Sequence, residues 1–136
     1  MRSRYEIYLD RYCKDINSEG QAALQIAKTM ILPAGYRYQG ELVDIATKLK
    51  GMGQAPHIGT LDKLTKLVGA FEGRIEALEK TLGHHGGGDL RAEVKHFHDD
   101  VIPAMAALRE VADQIENILP DDLWPLPTYR EMLFIK

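Results

Sequence analysis

Residues 60–82 read TLDKLTKLVGAFEGRIEALEKTL, and this stretch decides the fold. Its apolar residues are Leu61, Leu64, Val68, Phe71, Ile75, Leu78 and Leu82. Steps of three and four keep all seven on one stripe of an α-helix. The residues between them include Asp62, Lys63, Lys66, Glu72, Arg74, Glu76, Glu79 and Lys80, which belong on the solvent side. Thr60 is suited to cap the first turn, because its hydroxyl accepts from a free backbone N–H. Gly83 and the Gly86-Gly87-Gly88 run stop the helix.

The same pattern extends both ways. After Asp89, a second expected N-cap, it returns at Leu90, Val94, Phe97, Val101, Ala104, Leu108, Val111, Ile115 and Ile118. Pro103 interrupts it and should kink the helix, since it lacks an N–H and crowds the preceding turn; Pro120 should end it. Upstream, Leu9, Tyr12, Ile16, Ala23, Ile26 and Met30 form one stripe, resumed beyond Pro33 by Tyr38, Leu42, Ile45 and Leu49. The spacing predicts helices over about 3–50, bent near Pro33 and Gly35, over 60–83 and over 89–119. A Gly- and Pro-rich loop joins the first two, and a tail covers 120–136. The strings Ile31-Leu32-Pro33-Ala34 and Val101-Ile102-Pro103-Ala104 are alike, so two kinks at matching height would let the long helices bend together.

The expected fold is therefore all-α: one elongated antiparallel bundle of three long, partly kinked helices with a Pro-rich C-terminal tail. The middle helix is too short to cover the first, so part of an apolar stripe stays bare and calls for a partner.

Bulk composition narrows the function. The 136 residues are 45% hydrophobic and 27% charged, with a net charge of −3. Those values suit one globular domain and give no basic surplus for nucleic acid. No apolar run reaches the ~20 residues a bilayer span requires, and the first residues lack the apolar core of a signal peptide. A single cysteine, Cys13, excludes an internal disulfide and suits a reducing compartment. The expected location is cytoplasmic.

Few residues suggest chemistry. His96 and His98 are two apart and so point in different directions, whereas metal ligands on a helix need a spacing of three or four. His96 with Asp99 or Asp100 makes at most a partial metal set, approached by His85 from the Gly-rich turn. The expectation is no metal site. Arg11 and Lys14 are neighbours of the kind that lower a thiol pKa, but no histidine is close in sequence to act as a base for Cys13, so a helix-surface or half-buried, unreactive thiol is expected. Gly86-Gly87-Gly88-Asp89 lacks the preceding strand and the following Lys-Ser or Lys-Thr of a phosphate loop.

Aromatic residues are more informative. Tyr5, Tyr8 and Tyr12 share a helix face. In the tail, Trp124, Leu126, Tyr129, Leu133 and Phe134 are too apolar to stand in water. They fold back onto the bundle or dock on another subunit, and with the tyrosines they make up the expected interaction surface. Thr128 and Glu131 form a capping-box pattern around a short helical turn.

Several strings resemble one family. They are Ser3-Arg4-Tyr5-Glu6-Ile7 followed by Tyr12 and Lys14, Ile31-Leu32-Pro33-Ala34 followed by Tyr38-Gln39, and Val101-Ile102-Pro103-Ala104-Met105 followed by Leu108-Arg109. The last runs from Leu123-Trp124-Pro125-Leu126-Pro127 through Thr128-Tyr129-Arg130-Glu131-Met132-Leu133-Phe134. In order and spacing they resemble the C-terminal helical region of type III glutamine synthetase. That resemblance implies a piece of a large oligomeric enzyme that makes glutamine from glutamate, ammonia and ATP with divalent metal ions. The family's ATP and metal ligands come from a β-rich core, so no catalytic or cofactor-binding residue is carried over to this chain.

The resulting expectation is a structural or assembly module without an active site. Its partners would be the synthetase core or other subunits, including further copies of itself. The alternatives are a free-standing helical bundle that binds a ligand or metal as a regulator, and a homo-oligomeric coiled coil with no ligand.

Overall fold

The computed structural model describes residues 3–83 and 89–127. It is all-α, with three rods of 48, about 25 and 27 residues packed together and no strand among the described residues. The first rod runs as α1 (Arg4–Ile26), a π turn (Ala27–Ile31) and α2 (Leu32–Gly51). The second is α3 (Gly59–Gly83). The third runs as α4 (Leu90–His96), a second π turn (Phe97–Val101) and α5 (Ile102–Glu116).

Helix starts follow local chemistry. Ser3 Oγ accepts from the Glu6 N–H at 3.2 Å, and Asp89 Oδ1 accepts from the Ala92 N–H at 2.7 Å. Each side chain satisfies a donor that the first turn leaves open. Thr60 lies inside α3 rather than before it: the helix begins at Gly59, and the Asp62 N–H already reaches the Ile58 carbonyl at 2.9 Å. The third rod ends at Glu116 with Asn117 as its C-cap, slightly before the expected stop at Pro120.

The expected kinks at Pro33 and Pro103 take the form of π turns. Pro33 has no N–H to return, and its ring crowds the carbonyl four residues back. Widening the preceding turn relieves that crowding while the helix continues. The Leu32 N–H bonds to the Ala27 carbonyl and the Ile102 N–H to the Phe97 carbonyl, five residues apart in each case. The wider turn also moves the apolar stripe. Ala27 and Ile31 are buried, whereas Met30, expected on the stripe, is exposed. The two turns do not face one another as their chief contact; the second packs mainly on α1 and α3.

The core follows α3. Leu64, Val68, Phe71, Ile75, Leu78 and Leu82 are all buried, and Phe97, Val101, Leu108, Val111 and Ile115 from the third rod close on them. Each large apolar side chain removed from water contributes roughly 1.5–3 kcal/mol. The first rod runs antiparallel to α3. Near one end, a Cβ on Gly20 would lie 2.9 Å from Leu82 Cδ2; farther along, one on Gly35 would lie 3.2 Å from Val68 Cγ2. Gly35 therefore serves close helix approach. Lys28–Glu79 at 2.6 Å, Gln39 Nε2 to Thr65 Oγ1 at 3.0 Å and the Tyr36–Glu72 hydrogen bond continue the same register.

Candidate interaction surface

At 1.5 Å per residue the 48-residue first rod is about 72 Å long, and α3 about 37 Å. The register above places α3 against the middle of that rod, so both of its ends extend beyond α3. Exposed apolar residues collect along the first rod. Tyr5, Ile7, Tyr8, Met30, Tyr36, Val43 and Ile45 are all exposed and all lie on the first rod. Among the described residues the other large exposed apolar side chains are Met52, Ile58 and Ile102. Tyr5 is 69% and Tyr8 66% exposed, which for aromatic rings on a helix is surface left uncovered by the other described residues.

The expected docking residues separate in the structure. Tyr5 and Tyr8 stand in solvent, while Tyr12 is half-buried against the core. Trp124 is buried and belongs to the core, with Leu123 and Leu126 packed on it. The tail up to Pro127 thus folds back onto its own bundle. Its start is a tight turn in which the Leu123 and Trp124 N–H groups both donate to the Pro120 carbonyl. Tyr129, Leu133 and Phe134, with the Thr128–Glu131 capping pattern, lie outside the described residues. Ile45, expected on the buried stripe, is 53% exposed because it sits where the first rod runs past the start of α3.

The histidine group serves the fold. His96 Nε2 donates to the Thr81 carbonyl at 2.7 Å, and Nδ1 lies 3.0 Å from Asp100 Oδ2. Both ring nitrogens therefore meet protein oxygens. His98 Nδ1 lies 3.0 Å from Asp99 Oδ1 at the surface. Among the described residues no three His, Cys, Asp or Glu side chains gather as a metal-holding group; His84 and His85 lie outside them.

Cys13 also differs from its sequence environment. It is buried, and burial, followed by the charges of Glu93 and Asp10, pushes the thiol above its ordinary value. The nearby Lys14 is paired with Asp10 at 3.1 Å instead. The basic neighbours Arg11 and Lys14 do not lower its pKa, and the thiol, expected at the helix surface or half-buried, is a buried core packing group.

With this geometry in place, the relatives become informative. The sequence model of the glutamine synthetase C-terminal domain family matches residues 1–50. The similarity is to the C-terminal region of type-3 glutamine synthetase. The type-3 glutamine synthetase of Dictyostelium discoideum is 28% identical across the whole of this chain. Glutamine synthetases of Butyrivibrio fibrisolvens and Bacteroides fragilis (strain YCH46) are 28% and 23% identical over 97% and 98% of it. In each case the chain spans 20% of the relative's length. The segment matched by the family model coincides with the first rod, the same rod that carries most of the uncovered apolar surface. Aromatic spacing on α1 was legible in the sequence, whereas the exposure of Val43 was not, because it depends on where α3 begins. Among the described residues no helix is long and apolar enough to cross a membrane.

Proposed function

We propose that this chain is a helical assembly module of a type-3 glutamine synthetase, acting through the first rod and carrying no active site of its own. The observation that carries this reading is the placement of Tyr5, Ile7 and Tyr8. They are exposed on the rod that the family model matches, at an end that the other helices leave uncovered. The core of the bundle supplies rigidity: α3 holds the middle of the rod through buried Leu64, Phe71 and Leu78 and leaves the tyrosine end projecting. Its partner is the remaining part of such a synthetase or another of its subunits, in the cytoplasm. ATP and divalent metal act in that partner, not here. The engaged nitrogens of His96 and the buried thiol of Cys13 argue against the ligand-binding alternative.

The test adds the purified chain to a type-3 synthetase lacking its C-terminal fifth. The expected result is a complex of increased native mass, lost on Tyr5→Ser/Tyr8→Ser substitution, with no ATP-dependent glutamine formation by the chain alone. Turnover by the isolated chain, or complex formation indifferent to both tyrosines, overturns the reading.

A further inference from the structure

The side of the first rod that faces away from α3 carries opposite charges on its two halves. Gly20 of α1 and Gly35 of α2 mark the side packed on α3. Across α1 from Gly20, residues Arg4, Ile7, Arg11, Lys14 and Ser18 follow one another at steps of three and four, and all are exposed. Across α2 from Gly35, the same steps connect Arg37, Glu41, Asp44 and Lys48, again all exposed. Arg11 and Lys14 thus form a basic pair, and Glu41 and Asp44 an acidic pair with the same spacing. Arg11 and Asp44 are equidistant in sequence from the bond between Ala27 and Lys28, and so are Lys14 and Glu41. That midpoint is the start of the π turn. The surface there is an open groove lined by Gln21, Ala22, Leu24, Gln25, Lys28 and Thr29, and its one charged residue, Lys28, is paired with Glu79 of α3. Among the described ion pairs none includes Arg11, Glu41 or Asp44, and Lys14 meets Asp10 with its own side chain 76% exposed.

We infer that this stripe binds a second copy of the chain, the two first rods lying side by side and antiparallel about a two-fold axis at the π turn. A surface that complements itself under a two-fold rotation is what isologous pairing requires, and here the charges supply that complementarity. A parallel pair would set basic against basic and acidic against acidic. In the antiparallel register Arg11 stands opposite Asp44 and Lys14 opposite Glu41 of the second copy, and the axis repeats both pairs. Arg37 falls opposite Ser18 and Lys48 opposite Ile7, so neither meets a like charge face to face. Ile45 and Met52 flank Lys48 at steps of three and four, which brings Ile7 between them; the three are 53%, 77% and 55% exposed. The charge pairs fix register and orientation, and these apolar side chains supply surface to remove from water. Neither Tyr5 nor Tyr8 lies on the stripe, so the inference stands apart from the synthetase reading.

Sedimentation equilibrium of the purified chain at low salt tests it, and the expected mass is that of a dimer. Arg11→Glu/Lys14→Glu produces a chain with two acidic pairs, and Glu41→Lys/Asp44→Lys one with two basic pairs. Each alone is expected to be a monomer with native helix content by circular dichroism. An equimolar mixture of the two is expected to recover the dimer, as a one-to-one pair of unlike chains. A chain carrying all four substitutions has its charges exchanged and should dimerise by itself, so the test survives if one double variant fails to fold. A native chain that stays monomeric overturns the inference. So do double variants that keep the dimer, folded double variants whose mixture stays monomeric, and a folded fourfold variant that does not dimerise.

Discussion

His96 fastens the third rod to the end of the second: its Nε2 donates to the main-chain carbonyl of Thr81 at 2.7 Å. Thr81 lies in the last turn of α3, where carbonyls lack partners further along the helix. The imidazole side chain is only 10% exposed and also meets Phe97 edge-on, with ring centroids 5.8 Å apart. Removing it strands a partly buried carbonyl. His96→Ala is therefore expected to destabilise the chain by about 1–3 kcal/mol, read from urea unfolding. If His96 were instead a metal ligand, zinc would raise the midpoint of the native chain and not of the variant; the expected outcome is no zinc effect on either.

Glycines in similar helical settings should respond in opposite ways. Gly73 lies within α3 with nothing within 4 Å of an added Cβ. Alanine there recovers helix propensity, so Gly73→Ala should raise stability by about 1 kcal/mol. Gly35 faces Val68 Cγ2 at 3.2 Å, and a buried β-branched side chain has little rotameric freedom to retreat. Overpacking there should cancel the propensity gain, leaving Gly35→Ala about 1 kcal/mol or more below Gly73→Ala. Paired thermal melts decide between them; equal melting temperatures would mean that α2 and α3 do not pack this closely.

Periodicity revealed the helices because the stripe of α3 is nearly unbroken, and all six buried residues of that helix were on it. The two prolines announced a distortion but not its form. A π turn preserves the rod, and it exchanges Met30 for Ile31 at the core, a rotation that a fixed 3.6-residue repeat does not contain. Trp124 was legible as apolar, but its burial depends on the turn at Pro120. Cys13 was misread for a related reason. Neighbours in sequence suggested positive charge, whereas packing brings Glu93 of α4 close enough to act on the thiol. The exposed apolar surface was only half legible, since bareness depends on where another helix stops.

The burial of Cys13 leads to a chemical prediction. The thiolate is the reactive form, and burial, Glu93 and Asp10 all disfavour it. A thiol with a raised folded pKa contributes stability that is complete below its unfolded value and is lost as pH rises through the folded one. At pH 8 an aromatic disulfide reagent should modify native chain no faster than the chain opens, and should react at once in denaturant. Immediate reaction of native protein would place the thiol at the surface.

Tyr36 and Glu72 provide the corresponding pH test at the surface. The tyrosine hydroxyl donates to the Glu72 carboxylate across the α2–α3 contact. That hydrogen bond first, then desolvation and the carboxylate charge, raise the Tyr36 pKa above its ordinary value of 10.0. Ionisation removes the donor and sets two negative charges against each other. Because the folded pKa is the higher one, the contribution is complete below the unfolded value and fades as pH rises through the folded value. Native stability should therefore hold steady from neutral pH to about pH 10 and fall beyond it. Tyr36→Phe should lose a little stability at pH 7, within the few tenths to 1 kcal/mol typical of exposed polar pairs (about that much by analogy with surface ion pairs). The gap between variant and native chain should then close as the pH passes the folded pKa of Tyr36. A gap that persisted unchanged into that alkaline range would show that the ring's packing, and not its hydroxyl, joins the two helices.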